Sequence, residues 1–463
     1  MTGHIPFVDS GSYPVRPGNR VRPLVDGEPA FRRICEAIAA ARRSVWASIT
    51  FMWPGVQMPD GRGSPLDVFD AAAARGVDVR LVFWRPHGAV DGFRTNAFWG
   101  SSEHVAQLEA RRSGVSIRWD QAAEGYAQHQ KCWLIDAGEP GEVAFVGGIN
   151  LNPHSMVAPG HRGEGHNHDA YLELAGPAAV DVHHNLVQRW NDASERDAPG
   201  GAWGRAAAAD LPFPAHVPQP RGDSVVQIQR TLARGRHGPC PATPGGRPFD
   251  AAAGERSILA QYRAAIGAAR RTILIENQFL EAAAVVEDLR AALERGVEVA
   301  VVVPCDPDPD LLAISARPER AAFLASRDAL GAFANFALVG LAGLTEDGRR
   351  TAVYVHDKLM LVDDAWATVG SANLHHYSLF ANAEINASVA DPAVVRALRC
   401  ELLAEHLGED TAPLDDRAAL RRLRAVAMEN RRRKDTGDPA WRGLAFALEV
   451  GTYGREPAFE GMG

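Results

Sequence analysis

The sequence predicts an α/β protein built from two pseudo-symmetric α/β/α halves that pack face to face, with one functional site at their interface. Three observations lead to this prediction. Helical and β-branched segments alternate along the chain, one stretch of the first half returns 228 positions later, and a short polar motif returns at nearly the same distance. Such a repeat indicates that each copy is a structural unit of similar design.

The repeated stretch runs from the end of a helix into a strand. ARRSVWASI at residues 41–49 returns as ARRTILIEN at residues 269–277, and an alanine-rich helical pattern precedes each copy, at residues 31–41 and 258–269. The second helix of each copy ends in Arg-Gly-Val, where glycine suits the left-handed residue that follows a helix. A β-branched strand comes next in both copies. This alternation is typical of a largely buried sheet covered by helices.

These patterns divide the chain into three parts. Residues 1–222 form the first half, of which residues 194–222 are a connector rich in Ala, Gly and Pro. Residues 223–408 form the second half. Residues 409–463 contain a helical pattern that ends in the basic run RRRK at 431–434, followed by an irregular tail. The length of 463 residues suits two or more domain-sized units.

Composition excludes several classes of protein. Hydrophobic residues make up 46% and charged residues 23% of the chain, as in ordinary globular proteins. No apolar run reaches the ~18 residues of a membrane span, and the N-terminus lacks the pattern of a secretory signal, so a cytoplasmic protein is expected. Five scattered cysteines without a CxxC pair indicate neither a disulfide framework nor a cysteine zinc site. The formal net charge of −8 does not favour non-specific binding to nucleic acid.

The motif H-x-K-x4-D occurs once in each half. It consists of His129, Lys131 and Asp136 in the first copy and of His356, Lys358 and Asp363 in the second. Arginine supplies all but three of the 49 Lys and Arg residues, yet two of those three lysines occupy the same motif position. Apolar, β-prone residues follow each lysine, so both segments are expected to be strands. Because residues i and i+2 of a strand share a face, each histidine should project together with its lysine.

A glycine-rich turn and then a carboxylate follow each motif. The turns are GGIN at 147–150, which ends in Asn150, and GSAN at 370–373, which ends in Asn373; the carboxylates are Asp169 and Glu384. Glycine lets the backbone approach a ligand closely, and asparagine supplies an amide donor. A carboxylate that binds one imidazole nitrogen fixes the tautomer and orientation of a histidine. Asp169 and Glu384 are therefore expected to orient the motif histidines.

If the two halves pack about a pseudo-twofold axis, two histidines, two lysines and two asparagines converge. This set suits a phosphodiester. Lysines and amides neutralise the non-bridging oxygens, one histidine attacks phosphorus, and the other protonates the leaving alcohol. The second histidine then deprotonates water or another alcohol, which releases the covalent intermediate. Because the lysines supply the positive charge, neither a metal nor a cofactor is expected.

The doubled motif resembles the phospholipase D superfamily. The similarity covers roughly residues 25–408 and includes IENQF at 275–279, HD at 168–169, NLVQRWN at 185–191 and EHLG at 405–408. The resemblance implies a phosphohistidine intermediate with the first-copy histidine as the nucleophile. It also implies a structural rather than chemical role for Asp136 and Asp363.

The resemblance implies a phospholipase D-type phosphodiesterase or phosphatidyltransferase that acts on glycerophospholipids, with water or an alcohol as acceptor. Cardiolipin or phosphatidylserine synthesis is the alternative, since it is the same chemistry with a lipid alcohol or serine as acceptor. A nuclease of the same superfamily is a further alternative, which the acidic charge balance disfavours.

A monomer is expected. The basic run at 431–434 leaves a peripheral membrane contact open, although such runs are more often solvated helix ends.

Two groups of polar residues carry weaker signals. Glu276 and Gln278, at the end of a predicted strand, are expected to contact the substrate because ligands of α/β sheets gather at the carboxyl ends of strands. Four histidines lie in the polar stretch after the first motif, namely His154, His161, His166 and His168. A zinc site is one interpretation of these histidines. Their spacing is irregular, however, so a solvated loop is favoured.

Overall fold

The computed structural model describes residues 4–9, 11–86, 97–98, 100–122, 125–194, 209–306, 313 and 315–455. Two mixed β-sheets, one from each half, form its centre, and helices cover them. The predicted α/β fold with two pseudo-symmetric halves is therefore confirmed. Residues 195–208, most of the first part of the predicted connector, lie outside the described residues.

The first half has one central sheet. The strands of this half are β1 (Arg16–Val25), β2 (Ser44–Ile49), β3 (Asp78–Trp84), β4 (Ser116–Asp120), β5 (Cys132–Ile135), β6 (Val143–Gly147), β7 (Asn167–His168), which pairs with a strand of the second half, and β8 (Ala170–Ala175). Its helices are α1 (Gly27–Ala40), α2 (Pro65–Ala74), α3 (Ser102–Ala110) and α4 (Ala179–Asn191). The sheet order is β4-β3-β2-β5-β6-β8-β1, in which β2, β3 and β4 are parallel and the other neighbours antiparallel.

The second half has a sheet of the same design. Its strands are β9 (Ser224–Leu232), β10 (Glu255–Arg256), β11 (Thr272–Asn277), β12 (Glu298–Val302), β13 (Phe336–Leu344), β14 (Arg350–Val355), β15 (Lys358–Val362), β16 (Trp366–Gly370), β17 (Glu384–Ala390) and β18 (Ala445–Ala447). Its helices are α5 (Ser257–Ala268), α6 (Ala283–Glu294), α7 (Ala321–Asp328), α8 (His376–Phe380), α9 (Pro392–Leu407) and α10 (Asp416–Thr436). The sheet order is β13-β12-β11-β15-β16-β17-β9.

The two sheets correspond strand by strand. β2, β3 and β4 match the parallel strands β11, β12 and β13, and the motif strands β5 and β15 occupy the same central place. The helices that precede β3 and β12 are followed by Gly76 and Gly296, with φ of 86° and 82°, as the Arg-Gly-Val pattern predicts. β1 and β9 pair along one edge, where Arg16 faces Val226, and so join the halves.

The core has three main layers. Helices α1 and α2 pack on the outer face of the first sheet, and α5 and α6 pack on the outer face of the second. Between the sheets, apolar side chains of both halves form one continuous cluster together with α4, α9 and α10. The functional site lies at the edge of this shared layer, so burial of apolar surface between the halves also sets the positions of the motif strands.

The structure corrects the predicted domain boundaries at both ends of the chain. Residues 4–15 pack on the second half, where Gln261 accepts from the backbone N–H of Val8 at 2.9 Å and donates to the carbonyl of Pro6 at 3.0 Å. Residues 409–455 are also part of the second half. Helix α10, where the sequence predicts a helix, buries Leu420 and Leu423 in the shared core. Beyond it, β18 pairs with β13 in the part that was expected to be irregular.

The basic run at 431–434 is the last turn of α10. Arg431 pairs with Asp435, and Arg432 and Arg433 both pair with Glu429, so carboxylates of the same helix accompany these cations. This pattern is typical of a solvated helix end. Among the described residues, none of the helices combines the length and the apolar character that a membrane span requires.

Candidate active site

The two motifs enter the central strands of their sheets from the same end. β5 begins one residue after Lys131, and β15 begins at Lys358, so each histidine lies in the extended segment that leads into the strand. Each lysine turns back toward its own histidine. The Nζ of Lys131 donates to the carbonyl of His129 at 2.9 Å, and Lys358 makes the equivalent bond to His356. This contact follows from the shared face of residues i and i+2.

Each histidine is held by a carboxylate of the opposite half. The Nδ1 of His129 lies 2.9 Å from Oε2 of Glu384, and the Nδ1 of His356 lies 2.5 Å from Oδ2 of Asp169. The backbone also makes a hydrogen bond between the halves, in which the N–H of His129 donates to the carbonyl of Ala383 at 2.9 Å. The sequence indicated a carboxylate for each histidine. Only the packing of the two halves shows that the carboxylates are exchanged between them.

The two motifs lie close enough to interact electrostatically across the interface. Burial lowers the pKa of His356, and the charges of Lys358 and Lys131 lower it further. Burial also lowers the pKa of Lys131 to about 7 and that of Lys358 to about 8, although Glu384 and Asp169, respectively, oppose this shift. The site therefore concentrates two cations and two imidazoles in a region of low solvent access.

Both orienting carboxylates are buried, but Glu384 has more hydrogen-bond donors around it than Asp169. Glu384 accepts from the hydroxyls of Ser371 and Ser378, at 2.6 Å each, in addition to His129. Burial would raise the pKa of Glu384, but the neighbouring His129 and Lys131 lower it below the usual value. An ionised Glu384 accepts the Nδ1–H of His129, which leaves the lone pair of Nε2 free to react.

The glycine-rich turns lie beside the exchanged pairs. A Cβ at Gly148 would stand 2.2 Å from Oδ1 of Asp169, so only glycine lets this carboxylate pass the turn. The carbonyl of Ser371 lies 3.1 Å from Nδ1 of His129. Asn150 and Asn373 are buried, and their Oδ1 atoms have no hydrogen-bond partner among the described residues. An unpaired Oδ1 can accept from a ligand, whereas Nδ2 is the atom by which such an amide donates to a phosphoryl oxygen.

The last residues of the motifs lie at the opposite ends of their strands. Oδ1 of Asp136 accepts from the backbone N–H groups of Arg42, Arg43 and Ser44 at 2.7–3.3 Å. Asp363 does the same for the equivalent residues Arg270, Arg271 and Thr272, at 2.8 Å each. Both aspartates therefore hold the end of a motif strand against the start of the neighbouring strand.

Gln278 and Thr50 occupy equivalent positions, 228 residues apart, and each contacts a motif lysine. The Nζ of Lys358 lies 3.3 Å from Oε1 of Gln278, and the Nζ of Lys131 lies 3.1 Å from Oγ1 of Thr50. Gln278 also donates to Oη of Tyr354 at 2.9 Å. Thr50 was not among the predicted site residues. The repeat offset applied to Gln278 is the signal that could have found it.

Glu276 does not have the predicted contact with substrate. It is fully buried, and its two oxygens lie 3.1 Å from Nε2 of His168 and 2.9 Å from Nε2 of His406. Each oxygen is therefore engaged by an imidazole inside the protein. The prediction was wrong because the side chain points into the shared core rather than past the end of β11.

The histidine-rich stretch is not a solvated loop throughout. His154 is exposed and His166 half-buried, but His161 and His168 are fully buried. The loop packs on the second half. Arg162 forms a parallel β-bridge with Leu344, and the carbonyl oxygen of His161 lies close to the Cα of Gly343. The sequence of the loop could not show this packing, because the residues that cover it belong to the other half.

The profile of the family described as "Cardiolipin synthase, PLD-like domain" matches residues 34–190 and 262–405. The chain is 25% identical over 430 residues to cardiolipin synthase A of Pseudomonas aeruginosa (strain LESB58), which covers 90% of this chain and 72% of that protein. It is 26% identical over 398 residues to cardiolipin synthase B of Escherichia coli (strain K12), which covers 84% of this chain and 80% of that protein.

A solved structure shares the fold. The crystal structure of phosphatidylserine synthase from Haemophilus influenzae Rd KW20 superposes with a TM-score of 0.55 at 12% identity, over 82% of this chain and 84% of that one. The family match covers both halves and includes both motifs. The chain therefore belongs to the phospholipase D superfamily, in the family of cardiolipin synthase PLD-like domains, and is an enzyme of this phospholipase D-like class.

Proposed function

We propose that this enzyme is a phosphatidyltransferase of the cardiolipin synthase type. It moves the phosphatidyl group of a glycerophospholipid onto the hydroxyl of a second lipid alcohol, through a phosphohistidine on His129. The main support for this proposal is that each motif histidine is bound by a carboxylate of the opposite half. This arrangement brings a histidine and a lysine from each half to one phosphodiester. The motif leaves hydrolysis and transfer open, and the family match and the cardiolipin synthase relatives support transfer.

The first step forms the covalent intermediate. Nε2 of His129 attacks phosphorus while Glu384 holds the Nδ1–H at 2.9 Å. The bond from phosphorus to the headgroup oxygen breaks, and His356 gives its Nε2 proton to that oxygen. Its Nδ1 takes a proton in turn from Asp169, which lies 2.5 Å away and whose pKa burial raises to about 7. Lys131 and Lys358 neutralise the negative charge that grows on the non-bridging oxygens, and the amides of Asn150 and Asn373 donate to the same oxygens.

The second step reverses these roles with a new alcohol. His356, now unprotonated at Nε2, takes the proton of the acceptor hydroxyl as the oxygen attacks phosphorus, and its Nδ1 proton returns to Asp169. The bond between phosphorus and His129 breaks, which restores both histidines to their starting states. Water in place of the alcohol would yield phosphatidic acid. The outcome thus depends on which nucleophile reaches the intermediate, and not on a different set of catalytic groups.

The assignment of His129 as nucleophile rests on its carboxylate. Glu384 accepts from two serine hydroxyls, whereas Asp169 accepts from the backbone N–H of Ala170, at 2.9 Å, besides His356. More donors stabilise the ionised form of Glu384. An ionised partner keeps His129 in the tautomer that presents an unprotonated Nε2, which is the form a nucleophile needs.

A product assay with labelled lipid tests the proposal. Vesicles of phosphatidylglycerol are incubated with the purified chain, and cardiolipin, phosphatidic acid and free glycerol are measured by mass spectrometry. We expect cardiolipin and glycerol in equal amounts, with His129→Gln inactive and His154→Ala, an exposed histidine of the same half, fully active. Phosphatidic acid as the main product at all lipid concentrations would establish hydrolysis instead. Undiminished turnover by His129→Gln would contradict the mechanism.

A further inference from the structure

A second group of titratable side chains lies beside the active site and takes no part in the proposed chemistry. Asp26, His161 and His168 are fully buried, and the side chain of Glu405 is 8% exposed. They come from four separate elements: the start of α1, the loop after β6, the strand β7 and the end of α9. Three belong to the first half and one to the second, so the cluster spans the interface.

The donor atoms of this cluster have the spacing of a tetrahedral metal site. The Nε2 of His161 lies 3.3 Å from Nδ1 of His168, 3.3 Å from Oδ1 of Asp26 and 3.4 Å from Oε1 of Glu405. The Nδ1 of His168 lies 2.9 Å from the same Oδ1 of Asp26 and 3.7 Å from Oε2, the second oxygen of Glu405. Four ligands at zinc bond lengths of about 2.0–2.1 Å in a regular tetrahedron stand about 3.3 Å apart.

Asp26 departs from what its place in the chain predicts. It is the N-cap of α1, where an aspartate normally accepts from the first backbone N–H groups of the helix, yet its side chain makes no such bond. Its φ is 64°, in the left-handed region, and its Oδ2 is buried without a hydrogen-bond partner among the described residues. The carboxylate is thus turned away from its helix and into the cluster, with one oxygen still unpaired.

The surroundings of His168 match those of a metal-ligating histidine. Its Nδ1 faces the cluster, and its Nε2 lies 3.1 Å from the carboxylate of Glu276. A carboxylate on the nitrogen that does not bind metal fixes the tautomer and ring orientation of such a ligand. The charges would also balance. Two ionised carboxylates carry a total charge of −2, two neutral imidazoles add none, and one divalent cation would neutralise the set.

We propose that Asp26, His161, His168 and Glu405 bind one zinc ion. The set of two nitrogen and two oxygen donors suits Zn²⁺, and four protein ligands fill its tetrahedral coordination, as in structural rather than catalytic sites. The ion joins the first half to α9 of the second. It also fixes His168, whose neighbour Asp169 orients His356. The zinc site would therefore hold Asp169 in the position where it orients His356. This proposal does not depend on which alcohol the enzyme uses.

Metal analysis of the full chain tests this site directly. The protein is purified without a metal-affinity step from medium that contains zinc, and its metal content is measured by plasma mass spectrometry. We expect about one zinc ion per chain in the wild type and in His154→Ala, an exposed histidine of the same loop. We expect His161→Gln and Glu405→Gln each to lose most of the zinc. Equal zinc in all four proteins would place the ion elsewhere and overturn the proposal.

A titration of the wild type keeps the test independent of how well the variants fold. After treatment with a chelator, the wild-type chain is titrated with Co²⁺ and, separately, with Zn²⁺. We expect saturation at about one ion per chain, the visible absorption of tetrahedral Co²⁺, and a rise of several degrees in the thermal midpoint with Zn²⁺. If neither ion binds stoichiometrically and the midpoint does not move, the cluster is a metal-free network of hydrogen bonds and the proposal is wrong.

Discussion

The two halves share their strand order and their motif, but they hold the orienting carboxylates differently. In the second half, the segment between β16 and β17 contains the short helix α8, whose Ser378 donates to Glu384. In the first half, the equivalent segment between β6 and β8 is a longer loop that places His161 beside His168. The two halves thus share their reacting groups, while the segments that hold the orienting carboxylates differ. Two histidines of identical motif can then serve as nucleophile and as acid.

The largest expected effect separates the two histidines. His129→Gln removes the atom that bonds to phosphorus, so turnover should fall by about 10⁴-fold or more with any donor. His356→Gln removes only the proton donor. With a phosphatidyl donor whose leaving group is p-nitrophenol, which needs no proton, this variant should still form the phosphohistidine in a rapid burst.

Release of p-nitrophenol in the first turnover, together with mapping of the labelled histidine, measures this difference. The two histidines would have the opposite roles if His129→Gln gave the burst and His356→Gln did not.

The next effect concerns the motif lysines, which the two halves hold in similar ways. The Nζ of Lys131 is packed between Oγ1 of Thr50 and the carbonyl of His129, a space that suits a compact ammonium rather than a planar guanidinium. Lys131→Arg and Lys358→Arg should each lower kcat/KM about a hundredfold while the circular dichroism spectrum stays unchanged. Lys434→Arg is the matched control and should retain full activity. Full activity of either motif variant would mean that only the charge matters.

A smaller effect should follow from the serines that distinguish Glu384. Ser378→Ala removes one of its two hydroxyl donors, so kcat should fall about five- to tenfold with little change in KM. Because the serine acts through Glu384, the change should have almost no further effect in a Glu384→Gln background. Steady-state kinetics of the two single variants and the double variant provide the measurement. Additive losses would show that Ser378 acts by another route.

The smallest effect is a dependence of substrate binding on pH. Burial lowers the pKa of Lys131 to about 7, with Lys358 lowering it further and Glu384 and Asp169 opposing the shift. The amine is charged below this pKa and neutral above it, so KM for an anionic phospholipid should rise severalfold from about pH 6 to about pH 8.5. Lys131→Arg stays charged over this range, and its KM should change less. A KM that falls with rising pH in the wild type would contradict this assignment.

Much of this enzyme could be predicted from the sequence, because the determining patterns are local. Alternating helices and strands predicted the α/β halves, and the spacing of 228 residues between copies predicted two structural units of similar design. The i, i+2 spacing placed each lysine with its histidine. Each of these inferences depends on residues that are neighbours in the chain, where periodicity and propensity decide the geometry.

The features of the site that only the tertiary structure decided all depend on contacts between the two halves. The sequence could not show that Glu384 serves His129 and Asp169 serves His356, since each pair is more than 180 residues apart. Nor could it show that a polar loop buries His161 and His168, or that Glu276 faces two imidazoles instead of substrate. Burial of a polar side chain is a property of what packs over it, and here the covering surface comes from the other half.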